Sequence, residues 1–206
     1  NIGTMKNGIR QPRQERSIEK KKRIVDAGYE LFSEVGYYGT NTAEIAKRAG
    51  VSTGIVYGYF KDKKDILICV LEIYLNEVYE PISAMLDKLT SPVDYEKVIP
   101  HVLEATIKTH KKKYKIHEAL HSLAGSDSEV NAEFIALEDK LTTRIYERLA
   151  ALGENTENLK EKIHFAMGTI QDYCHEYVFD KHEYIDYSVL EKMVVTAITH
   201  LFSRMK

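Results

Sequence analysis

Residues 42–63, Thr-Ala-Glu-Ile-Ala-Lys-Arg-Ala-Gly-Val-Ser-Thr-Gly-Ile-Val-Tyr-Gly-Tyr-Phe-Lys-Asp-Lys, decide how this chain is read. They read as two short helices joined by a glycine turn. Gly50 can take φ > 0 at no steric cost, so it closes the first helix as its C′ residue. Ser52 is then placed to cap the second, because its hydroxyl can accept a backbone N–H from the first turn of a helix starting at Thr53. Upstream, Asn41 with Glu44 three residues on has the pattern of a capping box. Apolar spacing fixes the faces that meet: Ile45, Ala46 and Ala49 on the first helix, Val51, Ile55 and Val56 on the second. The other face carries Thr53, Gly54, Tyr57 and Tyr59, small or hydroxyl-bearing groups without an acid among them, which suits a nucleic-acid groove and its phosphates. An ordinary helical hairpin is the alternative, and it has no need of outward aromatic hydroxyls.

The segment Thr42 to Lys63, continued by Lys64-Asp65-Ile66-Leu67, resembles the DNA-binding domain of the TetR family of bacterial transcriptional regulators. The resemblance is carried by Ile45-Ala46-x-x-Ala49-Gly50-Val51-Ser52, by Gly54-x-x-Tyr57-x-Tyr59-Phe60, and by Lys61 and Lys63 ahead of Ile66 and Leu67. It reaches back through residues 24–37, which resemble the first helix of that domain, and so covers the first third of the chain. Gly28 departs from it, standing where alanine is usual, and Gly58 falls inside the recognition helix. Each glycine costs a helix interior about 1 kcal/mol relative to alanine.

The resemblance implies that Thr53 and Gly54 face base edges or allow close backbone approach, with Ser52 capping. It places Thr42, Tyr57, Tyr59 and Lys63 against phosphates, where they position the domain without specifying sequence. Replacing Tyr57 by Phe or Lys63 by Ala is expected to leave the fold intact and weaken binding on every sequence. Phe60 is assigned to the core, beside Leu31 and Phe32.

Charge is distributed in keeping with this. The net charge is −2, yet residues 1–64 hold 13 Lys+Arg against 7 Asp+Glu, and the remainder is acidic. A basic first third is drawn to DNA through counterion release, and an acidic remainder is repelled. Asn1 to Thr4 precede Met5 and read as a cloning remnant, with Met5 the natural start and no signal peptide after it. Residues 1–16 form that remnant and a basic arm, in which Arg10 and Arg13 are candidates for the DNA backbone or minor groove. Lys20 to Arg23 are placed near phosphate.

An apolar content of 44% without a long apolar run describes a soluble chain with no membrane span, expected in the cytoplasm. Cys69 and Cys174 are far apart among helical apolar residues and read as buried thiols, not as a disulfide or metal pair.

Alternation is short throughout and apolar residues recur at three and four, so the fold class is all-α. Helix 1 is expected near 17–36, the short pair near 42–49 and 53–60, and a long fourth helix from Asp62 to Leu89 with a kink at Pro81. Further helices are expected near 95–114, 115–124, 127–152, 156–180 and 186–205, about nine in all. The domains are then 17–63, a three-helix DNA-binding domain, and 64–206. The resemblance implies that residues 64–206 form an orthogonal helical domain for effector binding and dimerisation, joined to the first through helix 4. The last two helices present Ile163, Ala166, Met167, Ile170, Tyr173, Cys174 and Tyr177, and Val189, Leu190, Met193, Val194, Ala197, Ile198, Leu201 and Phe202. Plain core packing accounts for them, but the family implies a four-helix dimer interface that lets two recognition helices read a two-fold operator.

The expected function is a homodimeric, ligand-responsive regulator, a repressor by the family's habit, released from a double-stranded DNA operator by a small-molecule effector. Candidate effector contacts are Tyr74, His117, Phe134 and Tyr173. One motif competes. His117-Glu118-Ala119-Leu120-His121 fits His-Glu-x-x-His, in which two histidines hold zinc and the glutamate is a general base. That reading makes the chain a helical zinc-dependent hydrolase, but the candidates for a third ligand, Glu138, His164 and His175, are not placed by any recognisable downstream pattern. A non-catalytic metal or effector site on His117 and His121 is another reading, and a polar helix face is the one adopted, so no metal or cofactor is expected. The Lys108 to Lys115 run reads as solvated surface.

Overall fold

The computed structural model describes residues 13–203. Among them the chain forms nine α-helices and no strand: α1 (Arg13–Val35), α2 (Thr42–Ala49), α3 (Thr53–Tyr57), α4 (Lys63–Asp87), α5 (Tyr95–Lys112), α6 (Tyr114–Ala124), α7 (Ser128–Ala151), α8 (Leu159–Phe179) and α9 (Tyr187–Phe202). The chain divides into two compact units, Asn1–Val70 and Leu71–Lys206, and α4 contributes residues to both. That helix runs on through Pro81. Arg10 lies outside the described residues, as does the side chain of Arg13.

In the first unit α1 packs on α2, and α2 on α3. Its core holds Ile24, Leu31, Phe32, Ile45, Ala46, Val56, Phe60 and Ile66. Gly28 has a packing reason: a Cβ there would stand 2.6 Å from Ile66 Cγ2, so α1 and α4 approach more closely than alanine allows. The helical cost of this glycine is offset by that approach.

The recognition helix is shorter than its sequence pattern predicts. It ends at Tyr57, with Gly58 as its C-cap, and the N–H groups of Tyr59 and Phe60 reach back to the Val56 carbonyl at 3.0 Å each. Two glycines in so short a segment hold little helical propensity, and the next helix is already being capped. Asp62 Oδ1 accepts the N–H groups of Lys64 and Asp65 at 2.8 and 3.1 Å, and Asp65 Oδ2 accepts that of Lys61 at 2.7 Å.

In the second unit α5 packs on α8 and α9, α7 on α6 and α8, and α8 on α9. One core cluster joins Ile99 and Leu103 of α5 to Ala166, Ile170, Tyr173 and Cys174 of α8 and to Val194 and Ile198 of α9. Another joins Leu149 of α7 to Leu159 and Ile163 of α8. Arg148 of α7 closes the carboxyl end of α4: its Nε donates to Leu86 O at 2.9 Å, and its terminal nitrogen to Leu89 O at 2.7 Å. Leu86 O, which also accepts the Leu89 N–H at 3.1 Å, lies in the last turn of α4, and Leu89 lies just beyond it. Lys113 departs from the solvated reading of its run, since it is largely covered and pairs with Glu77 at 3.4 Å. Cys174 is buried and Cys69 half-buried, and no disulfide joins them. Burial pushes the Cys174 thiol up to about 12, which keeps it protonated and unreactive.

Candidate nucleic-acid interface and ligand cavity

The turn between α2 and α3 is built from caps. Asn41 Oδ1 accepts the Glu44 N–H at 3.0 Å and Glu44 Oε2 accepts the Asn41 N–H at 3.2 Å, a complete capping box. At the other end Gly50 has φ +65, its N–H reaches Lys47 O at 3.2 Å, and Val51 N–H reaches Ala46 O at 3.0 Å. This pair of bonds is a Schellman motif. Ser52 is extended and its Oγ accepts the Ile55 N–H at 3.4 Å.

Three side chains hold this frame from outside. Arg23 of α1 donates from Nε to Ala49 O at 3.0 Å and from its terminal nitrogen to Ala49 O and to Gly50 O. Its guanidinium is thus engaged in the turn and not at a phosphate as its place in the basic run predicts. Arg48 pairs with Glu30 at 3.0 Å and Glu34 at 2.9 Å, tying α2 to α1. Lys63 donates to Tyr37 O at 2.8 Å and to Thr40 O at 2.9 Å, with its ammonium 4.1 Å from the Tyr37 ring centre. Burial lowers its pKa. An alanine at Lys63 would strip two carbonyls of a donor, so that variant is expected to lose stability as well as any phosphate contact.

On the outward side Ser52, Thr53 and Gly54 are exposed, Tyr57 is 57% exposed and Thr42 is half-buried. A Cβ on Gly54 would meet nothing within 4 Å, so packing inside the unit does not call for glycine there. Tyr59 faces inward more than expected: it is half-buried and its Oη lies 2.9 Å from Ser17 Oγ. Phe60 is buried, as its assignment to the core requires.

Residues 24–70 match the family model of bacterial regulatory proteins of the TetR family. The HTH-type transcriptional regulator HbdR of Aromatoleum is 43% identical over 76 residues, covering 37% of this chain and 33% of that protein. The fatty acid metabolism regulator protein of Bacillus subtilis is 41% identical over 61 residues, covering 30% of this chain and 31% of its own length. Residues 24–70 are thus similar to the DNA-binding segment of TetR-family regulators. The matched segment spans about a third of each of these two relatives. Beyond it the likeness is one of fold: a TetR-family regulator from Mesorhizobium loti superposes with a TM-score of 0.70 at 19% identity, covering 90% of this chain and 96% of the other. The fatty acid degradation regulator FadR from Bacillus halodurans superposes with a TM-score of 0.55 at 24% identity, covering 91% and 96%.

The second unit holds a partly open cavity of about 170 Å³, comparable with the ~150 Å³ void known to hold benzene in a protein core. Its walls are chiefly apolar, among them Ile82, Leu86, Val102, Leu141 and Met167, with Tyr79, Tyr95, Thr106, Glu138, His164 and Gln171 as polar members. None of Tyr74, His117, Phe134 and Tyr173 lines it. Spacing along a helix marks which residues face inward but not which of them border a void, so nothing in the sequence singles out the cavity walls.

Three of those four residues meet elsewhere. Tyr74 Oη lies 2.7 Å from His117 Nδ1, and both residues are buried. The ring of His117 lies 4.2 Å from that of His121, which lies 5.2 Å from Phe134. Tyr173 is apart from them, donating to Glu191 Oε2 at 3.2 Å. His117 is therefore not on a polar helix face: burial, with the neighbouring imidazoles, pushes it down to about 2. His121 is lowered in the same sense, though the residue is exposed and water screens the effect. Glu118 is exposed, and the hydrolase reading gains no support.

The stripe of apolar residues on α8 and α9 is used mostly inside the chain, where Ile163, Ala166, Ile170, Tyr173, Cys174, Val194 and Ile198 are buried. A second set on the same helices stays exposed: Phe165 at 59%, Met193 at 63% and Val189. Among the described residues no helix is long and apolar enough to cross a membrane.

Proposed function

We propose that this chain is a homodimeric transcriptional repressor of the TetR family that binds a two-fold operator and is released by a small molecule. The observation that carries the reading is the exposed start of α3, where Thr53 and Gly54 stand clear of their own unit on a turn fixed by Gly50, Ser52 and Arg23. Such a surface allows the backbone to approach base edges closely. Thr42 and Tyr57, and the remaining N–H of Lys63, would hold phosphates beside it. Tyr59 would act through Ser17, steadying α1 against the turn.

Exposed Phe165, Val189 and Met193 on α8 and α9 support pairing with a second copy, since large apolar side chains left exposed on these helices favour burial in an interface. A dimer can set two recognition helices the ~34–36 Å apart that one turn of DNA demands. The apolar cavity supports a ligand with an apolar body, and one relative bears the name of a fatty acid metabolism regulator. Glu138 in the wall disfavours a free carboxylate and favours a neutral or cationic polar group. Residues of α4 belong to both units, so ligand and DNA would oppose each other through that helix by linkage.

The test is binding to DNA flanking the chain's own coding region, followed across a salt series beside an unrelated duplex. Preference for the flanking DNA, with affinity falling steeply with salt, supports the reading. Tyr57→Phe is expected to weaken both duplexes alike. Equal affinity of the wild type for the two duplexes at every salt concentration would contradict the reading.

A further inference from the structure

We infer that the histidine cluster of the second unit is a binding site for one divalent transition-metal ion of the zinc, nickel or copper class. Four imidazoles converge from three helices: His110 of α5, His117 and His121 of α6, and His175 of α8. Ring centres are 4.2 Å apart for His110 and His117, 4.2 Å for His117 and His121, 5.5 Å for His117 and His175, and 6.4 Å for His121 and His175. His117 and His121 are four residues apart on α6 and so share a face.

The hydrogen bonds around the cluster decide which nitrogens are offered to it. His110 Nδ1 lies 2.9 Å from the Thr106 carbonyl, and a carbonyl only accepts, so the proton is on Nδ1 and the lone pair on Nε2. His175 Nδ1 lies 3.3 Å from Asp180 Oδ2, a contact that leaves Nε2 on the other side of the ring. His117 Nδ1 is joined to the Tyr74 hydroxyl at 2.7 Å. An imidazole whose far nitrogen is bound to a carbonyl, a carboxylate or a hydroxyl is how proteins orient a histidine toward a metal.

The near nitrogens of the two innermost rings are the telling atoms. Nε2 of His110 and Nε2 of His117 are buried and make no hydrogen bond with any described residue. His110 is 0% exposed and His117 1%. Stacking does not explain them, because phenylalanine would pack against Phe179 without burying an unpaired nitrogen. A metal ion would use the lone pair of His110 Nε2, and that of His117 Nε2 in the tautomer whose Nδ1 donates to Tyr74 Oη. Imidazole donors alone suit zinc, nickel or copper and not calcium or magnesium.

Among the described residues no three metal-binding side chains already form a metal site, so binding must reorient the rings. His121 and His175 are exposed, at the open side of the cluster, and rotation of their side chains together with a smaller turn of His110 and His117 would complete a four-coordinate site.

The test uses the full, tag-free chain after chelator treatment, titrated by calorimetry with Zn²⁺ and Ni²⁺ alone and by visible spectroscopy with Co²⁺. One ion per chain is expected, reversed by chelator, with a rise in Tm and the ligand-field bands of four-coordinate Co²⁺. His121→Ala and His175→Ala, at exposed positions, are each expected to weaken binding at least tenfold. Tyr74→Phe, which removes only the hydroxyl behind His117, is expected to weaken it about 10–100-fold. Circular dichroism checks that each variant is folded. Absence of stoichiometric binding, or binding unchanged in all three folded variants, would overturn the inference. No DNA enters the measurement, so its outcome is separate from the regulatory reading.

Discussion

At Gly50 and at Lys113 the chain ends one helix and begins another, by different means. Gly50 does so with φ +65, two backbone bonds of a Schellman motif, and a capping serine two residues on. Lys113 has φ −122, and α6 begins there with no side-chain cap. What fixes the second break is tertiary: the Lys113–Glu77 pair, and the burial of Ile116, His117 and Leu120 along α6. A turn made of its own residues holds its shape from local chemistry, whereas a break held by packing depends on what surrounds it. The reading head needs the former, because its outward face must be kept clear of supporting contacts.

That contrast can be broken at its strongest point first. Leu120→Ala empties a fully buried position on the helix whose start has no side-chain cap, and is expected to cost about 2–5 kcal/mol in denaturant unfolding. A loss below 1 kcal/mol would mean α6 does not depend on its packing. Gly50→Ala forces a side chain into the left-handed region and sets its Cβ 2.8 Å from the Arg23 guanidinium, with an expected cost of about 1–3 kcal/mol. Thermal unfolding of the purified variant measures it. Lys63→Ala leaves the carbonyls of Tyr37 and Thr40 without their donor and is expected to cost about 1–2 kcal/mol. Since Lys63→Met keeps much of the aliphatic stem, a similar loss in both variants would assign the effect to the ammonium.

The same contrast explains what could be read beforehand. Asn41, Glu44, Gly50 and Ser52 act on neighbours within a few residues, so their roles are written in short spacing. The helix count and the position of nearly every helix follow from apolar periodicity for the same reason. The length of α3 does not, because apolar spacing alone carries the pattern past Gly58, while backbone bonds to Val56 end the helix. Arg23 and Lys63 belong to basic runs that look like phosphate ligands, and only the fold shows that both serve backbone carbonyls 23 to 27 residues away. The inner and outer faces of α8 and α9 are likewise indistinct in sequence, where Met167 and Met193 read alike. The gathering of His110 and His175 around His117 required three helices to meet, and no spacing rule joins them.

Gly54 is the residue on which the account turns, since nothing in its own unit needs a glycine there. Binding of Gly54→Ala and wild type to the flanking DNA, measured by fluorescence anisotropy beside their unfolding free energies, tests this most directly. The account predicts that alanine leaves stability unchanged or raises it by up to about 1 kcal/mol, as expected in a helix, while affinity for the flanking DNA falls at least tenfold. Equal affinity of the two proteins for that DNA, at equal or greater stability of the variant, would contradict it.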